Sequence, residues 1–498
     1  MSTGQDALHS AQQHRSWYRS PLFSVIMVAC TAFTCPGIFG ALNGMGAGGG
    51  ASAGTSNAAN AIVFGMLAVV SPFVGIICNY LTPKWTLFIG TFGYAPYAAG
   101  FYVVDHYGES WLLLFGAVTC GLSACFLWVA SGSIIMGYPE ENRKGLAGKN
   151  VSTLHSFLAF IKSLANVGKA SLKFSFQNLG ASIGGIISLA LNAEKSYRGS
   201  ISEATYVALM TIMCLGFPFA LSVSPANHVQ RRDGRPVVLT KAPTLKKTFG
   251  ILWALIKTPT VIGLMPFMIY AQWFLSYQWQ FNFAYFTVRA RALNSMLFYL
   301  GGLVAALSFG QLLDWTRYSR KTRARIGFFV VSITSGTSWI IGQVVQHHYM
   351  TNPPTLDWAE ESYGLPCFLF LLWGISDPLC TVYMYWLTGS LTNSVNESAL
   401  LTGIINSLGS VGSTFGFVVS AMDFNYDGAC ALNLALFFLA LPGLAWVAFS
   451  KVTETSHGAD LTAIGQGGLG GSDPSLKDGS GNDVAQESVF INEKGVTV

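Results

Sequence analysis

The sequence predicts an all-α integral membrane fold of twelve transmembrane helices arranged as two pseudo-symmetric six-helix halves. Three observations predict it. Only 10% of the 498 residues are charged, against about 25% in an average soluble domain, and the mean hydropathy is +0.46. Apolar runs of the length needed to cross a hydrocarbon core of about 30 Å recur twelve times. Lys and Arg fall almost wholly into alternate loops between those runs, the pattern left by cytoplasmic retention of positive charge.

The runs lie at 21–42, 57–80, 85–104, 110–137, 172–192, 203–222, 258–286, 292–313, 326–345, 365–388, 399–421 and 428–450. The first is too long for the apolar region of a cleaved leader and has no A-x-A site, so it reads as an uncleaved span. With both termini in the cytoplasm, 24 of the 28 basic residues fall on that side, leaving Lys195, Arg198, Arg289 and Arg291 outside. The resulting organisation is a cytoplasmic N-terminus at 1–20, a first half at 21–222, a basic cytoplasmic linker at 223–257, a second half at 258–450, and a tail at 451–498. The tail is rich in Gly, Ser and Asp with no helical period, and is expected to be disordered.

The first span runs into CPGIFGALNGMGAGGG at 35–50. Its glycine spacing resembles a nucleotide-phosphate loop. A dinucleotide fingerprint, however, needs a short strand before it, a helix after it and an acid about 20 residues on. The preceding element here is a membrane span and the following one contains no acid. Pro36 and Gly37 are instead expected to interrupt span one, with the later glycines forming a flexible external loop leading to Asn57. That break fits the outer wall of a central pathway, and equally a proline kink followed by a loose loop.

Spans two and eight end alike. Gly75 and Asn79 precede Lys84, while Gly310 and Asp314 precede Arg317. In each, a glycine lets helices approach and a polar side chain stands where it can bond a neighbouring helix terminus and pair with loop cations. These six residues are candidate cytoplasmic hinge and gating elements. Spans five and eleven also correspond, with Gly180, Gly184 and Gly185 against Gly409, Gly412 and Gly416. Small residues at such spacing make a flat packing face, and their recurrence in both halves fits a rocking interface.

Further motifs carry a resemblance. Cys35-Pro36-Gly37 with Leu42-Asn43-Gly44, Leu127-Trp128 through Tyr138-Pro139, Gln272-Trp273 with Tyr277-Gln278, Gln280 and Asn282, Arg289 through Asn294, and Trp373-Gly374 with Asp377 and Tyr385-Trp386 together resemble the uncoordinated-ninety-three-like family, a branch of the major facilitator superfamily with many fungal members. The resemblance covers about 20 to 450. It implies the major facilitator fold and, from the animal members, a rival role as a trafficking chaperone or channel-associated subunit. The chain departs from the family at 146–170. Leu154, Phe157, Leu158, Ile161 and Ala165 there have helical spacing, so the segment is either an interfacial amphipathic helix or a retained intron in the gene model.

Catalytic and cofactor chemistry finds no motif. There is no HExxH or Walker loop, and the eight histidines lack metal-ligand spacing. The nine cysteines include no CxxC pair and lie mostly in apolar runs, as packing residues do. Basic residues dispersed over loops do not form a nucleic-acid face. The expectation is a non-enzyme with no cofactor and no metal, whose partners are the lipid bilayer, an unspecified small molecule and, on the rival reading, another membrane protein.

Candidate pathway residues follow from polarity at membrane depth. Asp377 stands midway through span ten, where a charge costs about 3 kcal/mol even on the lenient insertion scale, so it should face the bundle interior as a candidate proton carrier. Trp373, Thr381 and Tyr385 share its helix face. Span seven adds the carboxamides Gln272, Gln278 and Asn282 with Tyr277, and Asn43 and Trp128 complete the set. The same amides serve equally well as helix-to-helix bonds. Arg289 and Arg291 read either as an external gate or anion attractor, or as a solvated loop. The sequons at Asn150 and Asn396 fall on the cytoplasmic side, and neither is expected to carry glycan. The leading reading is a secondary transporter working by alternating access, and its rival is a non-transporting membrane regulator.

Overall fold

Among the described residues, ten of the apolar runs form helical segments long and apolar enough to cross a membrane, two of them with an internal turn, at 90–93 and at Leu215. The computed structural model describes residues 17–50, 52–138, 169–230, 250, 253–315, 317–391, 395–422 and 424–454. The N-terminal segment, the 146–170 insertion, most of the basic linker and nearly all of the tail lie outside them. In chain order the helices are α1 (Pro21–Gly44), α2 (Ala53–Gly75), α3 (Tyr80–Tyr107), α4 (Trp111–Ile135), α5 (Lys169–Asn192), α6 (Glu203–Ser222), α7a (Pro259–Trp273), α7b (Leu275–Tyr285), α8 (Val288–Asp314), α9 (Arg320–Thr351), α10 (Glu361–Ser390), α11 (Val395–Ala421) and α12 (Tyr426–Lys451).

Local chemistry sets their ends. Ser20, Ser52, Thr258 and Ser319 cap α1, α2, α7a and α9 through side-chain oxygens that accept from backbone N–H groups, satisfying donors a helix start leaves free. Pro21 and Pro259 follow two of these caps at positions that need no N–H donor.

The expected twelve spans become ten among the described residues because two runs differ from the rest. Helix α5 is not among the ten, and its first turns carry Lys169, Lys173, Gln177 and Asn178. Helix α7 turns at Phe274 into pieces of 15 and 11 residues, as α6 turns at Leu215, but its second piece carries Ser276, Gln278, Gln280 and Asn282. Hydroxyls take over carbonyls at that break. Ser413 donates to the Gln272 carbonyl at 3.0 Å and Ser276 to the Trp273 carbonyl at 3.2 Å, the substitution that accompanies sharp helix kinks.

Pro36 does not break span one. It lies in a π-helical turn, Phe33–Gly37, within a helix that continues to Gly44. Pro36 has no N–H to give to the preceding turn, and the wider turn accommodates it while the Thr34 hydroxyl donates to the Cys30 carbonyl at 3.0 Å.

Buried apolar side chains form two clusters. One contains residues of 28–229 together with Val288 and Ala292, and the other contains residues of 255–452 together with Ala181. Helix pairing repeats with a shift of six, since α5 packs on α1 and α8 while α11 packs on α7a and α2. The small-residue faces make these approaches possible. A methyl at Gly180 would stand 2.3 Å from the Phe33 carbonyl oxygen, and one at Gly412 only 2.0 Å from that of Ile269.

At the end holding the 193–202 and 352–360 loops, backbone and side chains of the two clusters are hydrogen-bonded together. Val288 donates its N–H to the Tyr197 carbonyl, Arg289 its N–H to that of Lys195, and Arg198 its Nη2 to that of Pro354. Glycines with open space where a Cβ would stand occur at both ends, Gly108 and Gly364 at this one and Gly75, Gly389 and Gly403 at the other.

Candidate functional site

The glycine segment after α1 is where the first cluster meets α7b. Asn43 ends the helix as a hydrogen-bond hub. Its Oδ1 accepts from Asn60 Nδ2 at 2.9 Å, the Tyr97 hydroxyl lies 3.0 Å from the same oxygen, and its Nδ2 returns to the Phe39 carbonyl. The next residues are a compact plug, which corrects the expectation of a flexible loop. Gly46 and Gly48 are buried in left-handed backbone, with φ of 79° and 58°. Glycine adopts this region without the Cβ penalty, and the missing side chains admit the α7b backbone with Phe283 Cβ at Gly46 and the Phe101 ring at Gly48.

Helix α7b carries the polar residues that face this plug and α10. Asn282 Nδ2 donates to the Gly44 carbonyl at 2.8 Å and to the Arg291 carbonyl at 3.2 Å, while its Oδ1 accepts from Asn294. Tyr363 donates to Asn294 Oδ1 at 2.7 Å and extends this chain to α10. One turn earlier, Gln278 Nε2 donates to Asp377 Oδ1 at 3.1 Å. Asp377 is 9% exposed. Among the described residues it has no basic nitrogen within 4.0 Å, and neither its Oδ2 nor Gln278 Oε1 has a hydrogen-bond partner.

Trp373, one turn from Asp377, is fully buried and meets Phe281, Trp339 and Tyr277 with ring centroids 5.3, 5.3 and 5.8 Å apart. Tyr277 donates to Gln346 Oε1 at 2.8 Å, and Gln346 Nε2 donates to the Tyr285 hydroxyl. Thr381 bonds the Asp377 carbonyl along the same helix, and the Tyr385 hydroxyl donates to Asn406 on α11.

The anticipated pathway residues therefore divide. Asp377, Gln278, Trp373 and Tyr277 come together. Asn282 joins the seam between clusters, and Asn43 bonds within the first. Gln272 packs against Gly409 of α11, and Trp128 is half-buried against the first cluster. Of the hinge set, Gly310 is buried and Asp314 and Arg317 are exposed. Lys84 lies over the Trp85 ring, just past a non-helical Thr82 at φ 68°.

Arg289 and Arg291 are not a solvated loop. Arg291 is 1% exposed, donates Nη2 to the Gly199 carbonyl at 2.6 Å and to the Gly49 carbonyl at 3.2 Å, and lies over the Phe283 ring. Arg289 clasps Asp357 through Nε at 2.8 Å and also through Nη2, and Thr287 donates to the same carboxylate. The one sequence signal for this was the departure of both arginines from the positive-inside pattern. Asn60, Asn294, Gln346 and Asn406, each a single polar residue in an apolar stretch, went unsingled.

The Arg289 hydrogen bonds hold the Asp357 carboxyl down to about 2, below the ordinary value near 4. A depressed carboxylate contributes stability that is complete above its unfolded value and is lost as pH falls through its folded one. Asp357→Asn is expected to lower Tm by about 2–4 °C at neutral pH. In thermal unfolding across a pH series, the gap from the parent should hold from neutral pH to near 5 and close between about 4 and 2. A gap independent of pH would show that charge is not what Asp357 contributes.

A family model described as ion channel regulatory protein UNC-93 matches residues 51–433. An UNC93-like protein of Schizosaccharomyces pombe is 31% identical over 89% of this chain and 85% of its own. Notoamide biosynthesis cluster protein O' of Aspergillus versicolor is 28% identical over 91% of this chain and 96% of its own. UNC93-like protein 1 of Arabidopsis thaliana is 26% identical over 87% and 91%.

Proposed function

The chain belongs to the UNC-93 family of multi-pass membrane proteins, and from that premise we propose that it is a secondary transporter of a small molecule. It works by alternating access between two six-helix halves of a twelve-span major facilitator fold with both termini in the cytoplasm. The hydrogen-bonded end carries this reading: if Lys195, Arg198, Arg289 and Arg291 are external, that end is the closed outer gate. The six-helix shift in pairing supports rocking of one half on the other, because each half presents the same flat glycine face to its neighbour.

Asp377 would be the coupling group. It is an acid with a single hydrogen bond, held by a carboxamide on the broken helix that also grips the outer plug. A proton arriving at Asp377 changes what Gln278 can bond, and so bears on α7b and its hold on Gly44. One relative is named from a biosynthesis cluster, which suits movement of a small organic molecule.

The family description as an ion channel regulatory protein favours a second reading, a membrane regulator that holds or escorts another membrane protein. Comparing small-molecule profiles of cells and medium, with and without the chain, separates the two. Redistribution of one solute class is the expected result. Unchanged profiles together with a fall in another membrane protein's abundance would favour the regulator.

A further inference from the structure

A cavity of about 450 Å³ lies at the hydrogen-bonded end, between Arg198 and Gly199 of the first half and residues of α7b, α8 and the end of α9. Its volume is that of an ordinary small-molecule pocket. Phe283, Tyr285, Phe286, Tyr349 and Tyr426 give it a flat aromatic lining, and Met350 at its rim is 44% exposed.

Arg291 lines this cavity with hydrogen-bonding capacity to spare. Among the described residues its hydrogen bonds go to two backbone carbonyls, its Nε has no partner, and no carboxylate lies within 4.0 Å of it. Asp105 attracts it from farther off and is itself bonded by the Ser200 hydroxyl. A buried guanidinium without a close anion is costly, and its planar donors match the paired oxygens of a carboxylate or a phosphate. Arg198, exposed at the mouth, adds a second cation on the same wall.

We propose that this cavity binds a small organic carboxylate with a flat apolar body, its carboxylate on Arg291 and its body against the aromatic wall. The site lies at the proposed outer gate and not at the proposed coupling group, since Asp377 is not among the residues lining it. It does touch both halves, because Gly199 and Arg291 belong to different ones, so an occupant would bear on the closed end directly.

The test uses the purified full-length chain in lipid nanodiscs, with 1-naphthoate as the probe and neutral 1-naphthalenemethanol as its control. Thermal shift and calorimetric titration read binding without reference to transport. Naphthoate should stabilise the parent and the alcohol should not. Arg291→Gln should weaken naphthoate by at least about tenfold. Ala284→Trp, which fills the cavity from a lining position and leaves the arginine intact, should abolish binding, and it decides the matter where Arg291→Gln does not fold. Equal response to the alcohol, absence of response to millimolar naphthoate, or binding that survives Ala284→Trp through lipid partitioning would each overturn the proposal.

Discussion

A chain carrying Gly46→Ala is expected to unfold at a markedly lower temperature than its parent and to accumulate poorly in the membrane. The added methyl would lie 2.5 Å from Phe283 Cβ, 2.7 Å from the Trp279 carbonyl oxygen and 2.9 Å from the Phe283 nitrogen, on a backbone at φ 79°. Left-handed backbone alone costs a non-glycine residue about 1–2 kcal/mol. Displacing α7b's backbone, which cannot rotate away as a side-chain tip can, brings the expected loss to about 3–5 kcal/mol. Gly108→Ala separates the two contributions. Its φ is 74° but nothing lies within 4 Å of the new methyl, so it should lose only about 1 kcal/mol. Thermal unfolding and recovery of monodisperse protein compare the pair, and equal behaviour would mean that the plug does not bear on α7b.

Asp377→Asn should have the largest effect on activity with little on folding. Asparagine keeps the shape and can still bond Gln278, so membrane abundance and Tm should stay close to the parent's. What disappears is the exchangeable proton. Redistribution of the solute against its gradient should fall by at least about tenfold, and the residual movement should no longer respond to an imposed pH difference. Retained gradient dependence at normal abundance would remove Asp377 from coupling. Collapse of abundance would make it a structural residue of the second cluster.

The sequence made the helices legible because membrane crossing imposes one requirement, an uninterrupted apolar length, on each. That requirement says nothing of how backbone polarity is handled where the length is interrupted, and the differences arose there. Pro36 was read as a break, but a π turn with a threonine hydroxyl absorbs it. The break at Phe274 was invisible, because the hydroxyl that relieves one of its carbonyls comes from Ser413, in another helix. The glycines after Gly44 pattern like a loose loop, since what fills their missing side chains, the Phe101 ring and the α7b backbone at Trp279 and Phe283, is far off in the chain. Arg291 follows the same logic. Local sequence places it at a water-facing end, and only the approach of Gly49 and Gly199 buries it. Asp377 and Gln278 were legible because each is anomalous on its own, whereas the Asn43–Asn60–Tyr97 group requires knowing that three helices converge.

The contact between the plug and α7b also orders events during synthesis. Gly44 and the Asn282 side chain that donates to its carbonyl are 238 residues apart in the chain. At ribosomal rates of about 5–20 residues per second, the plug waits roughly ten to fifty seconds before its lid exists. During that interval the glycine stretch waits with backbone carbonyls that have not met their final donors. The segment around Gly44 is made early and matures late, so a nascent chain is exposed to quality control there until α7b arrives.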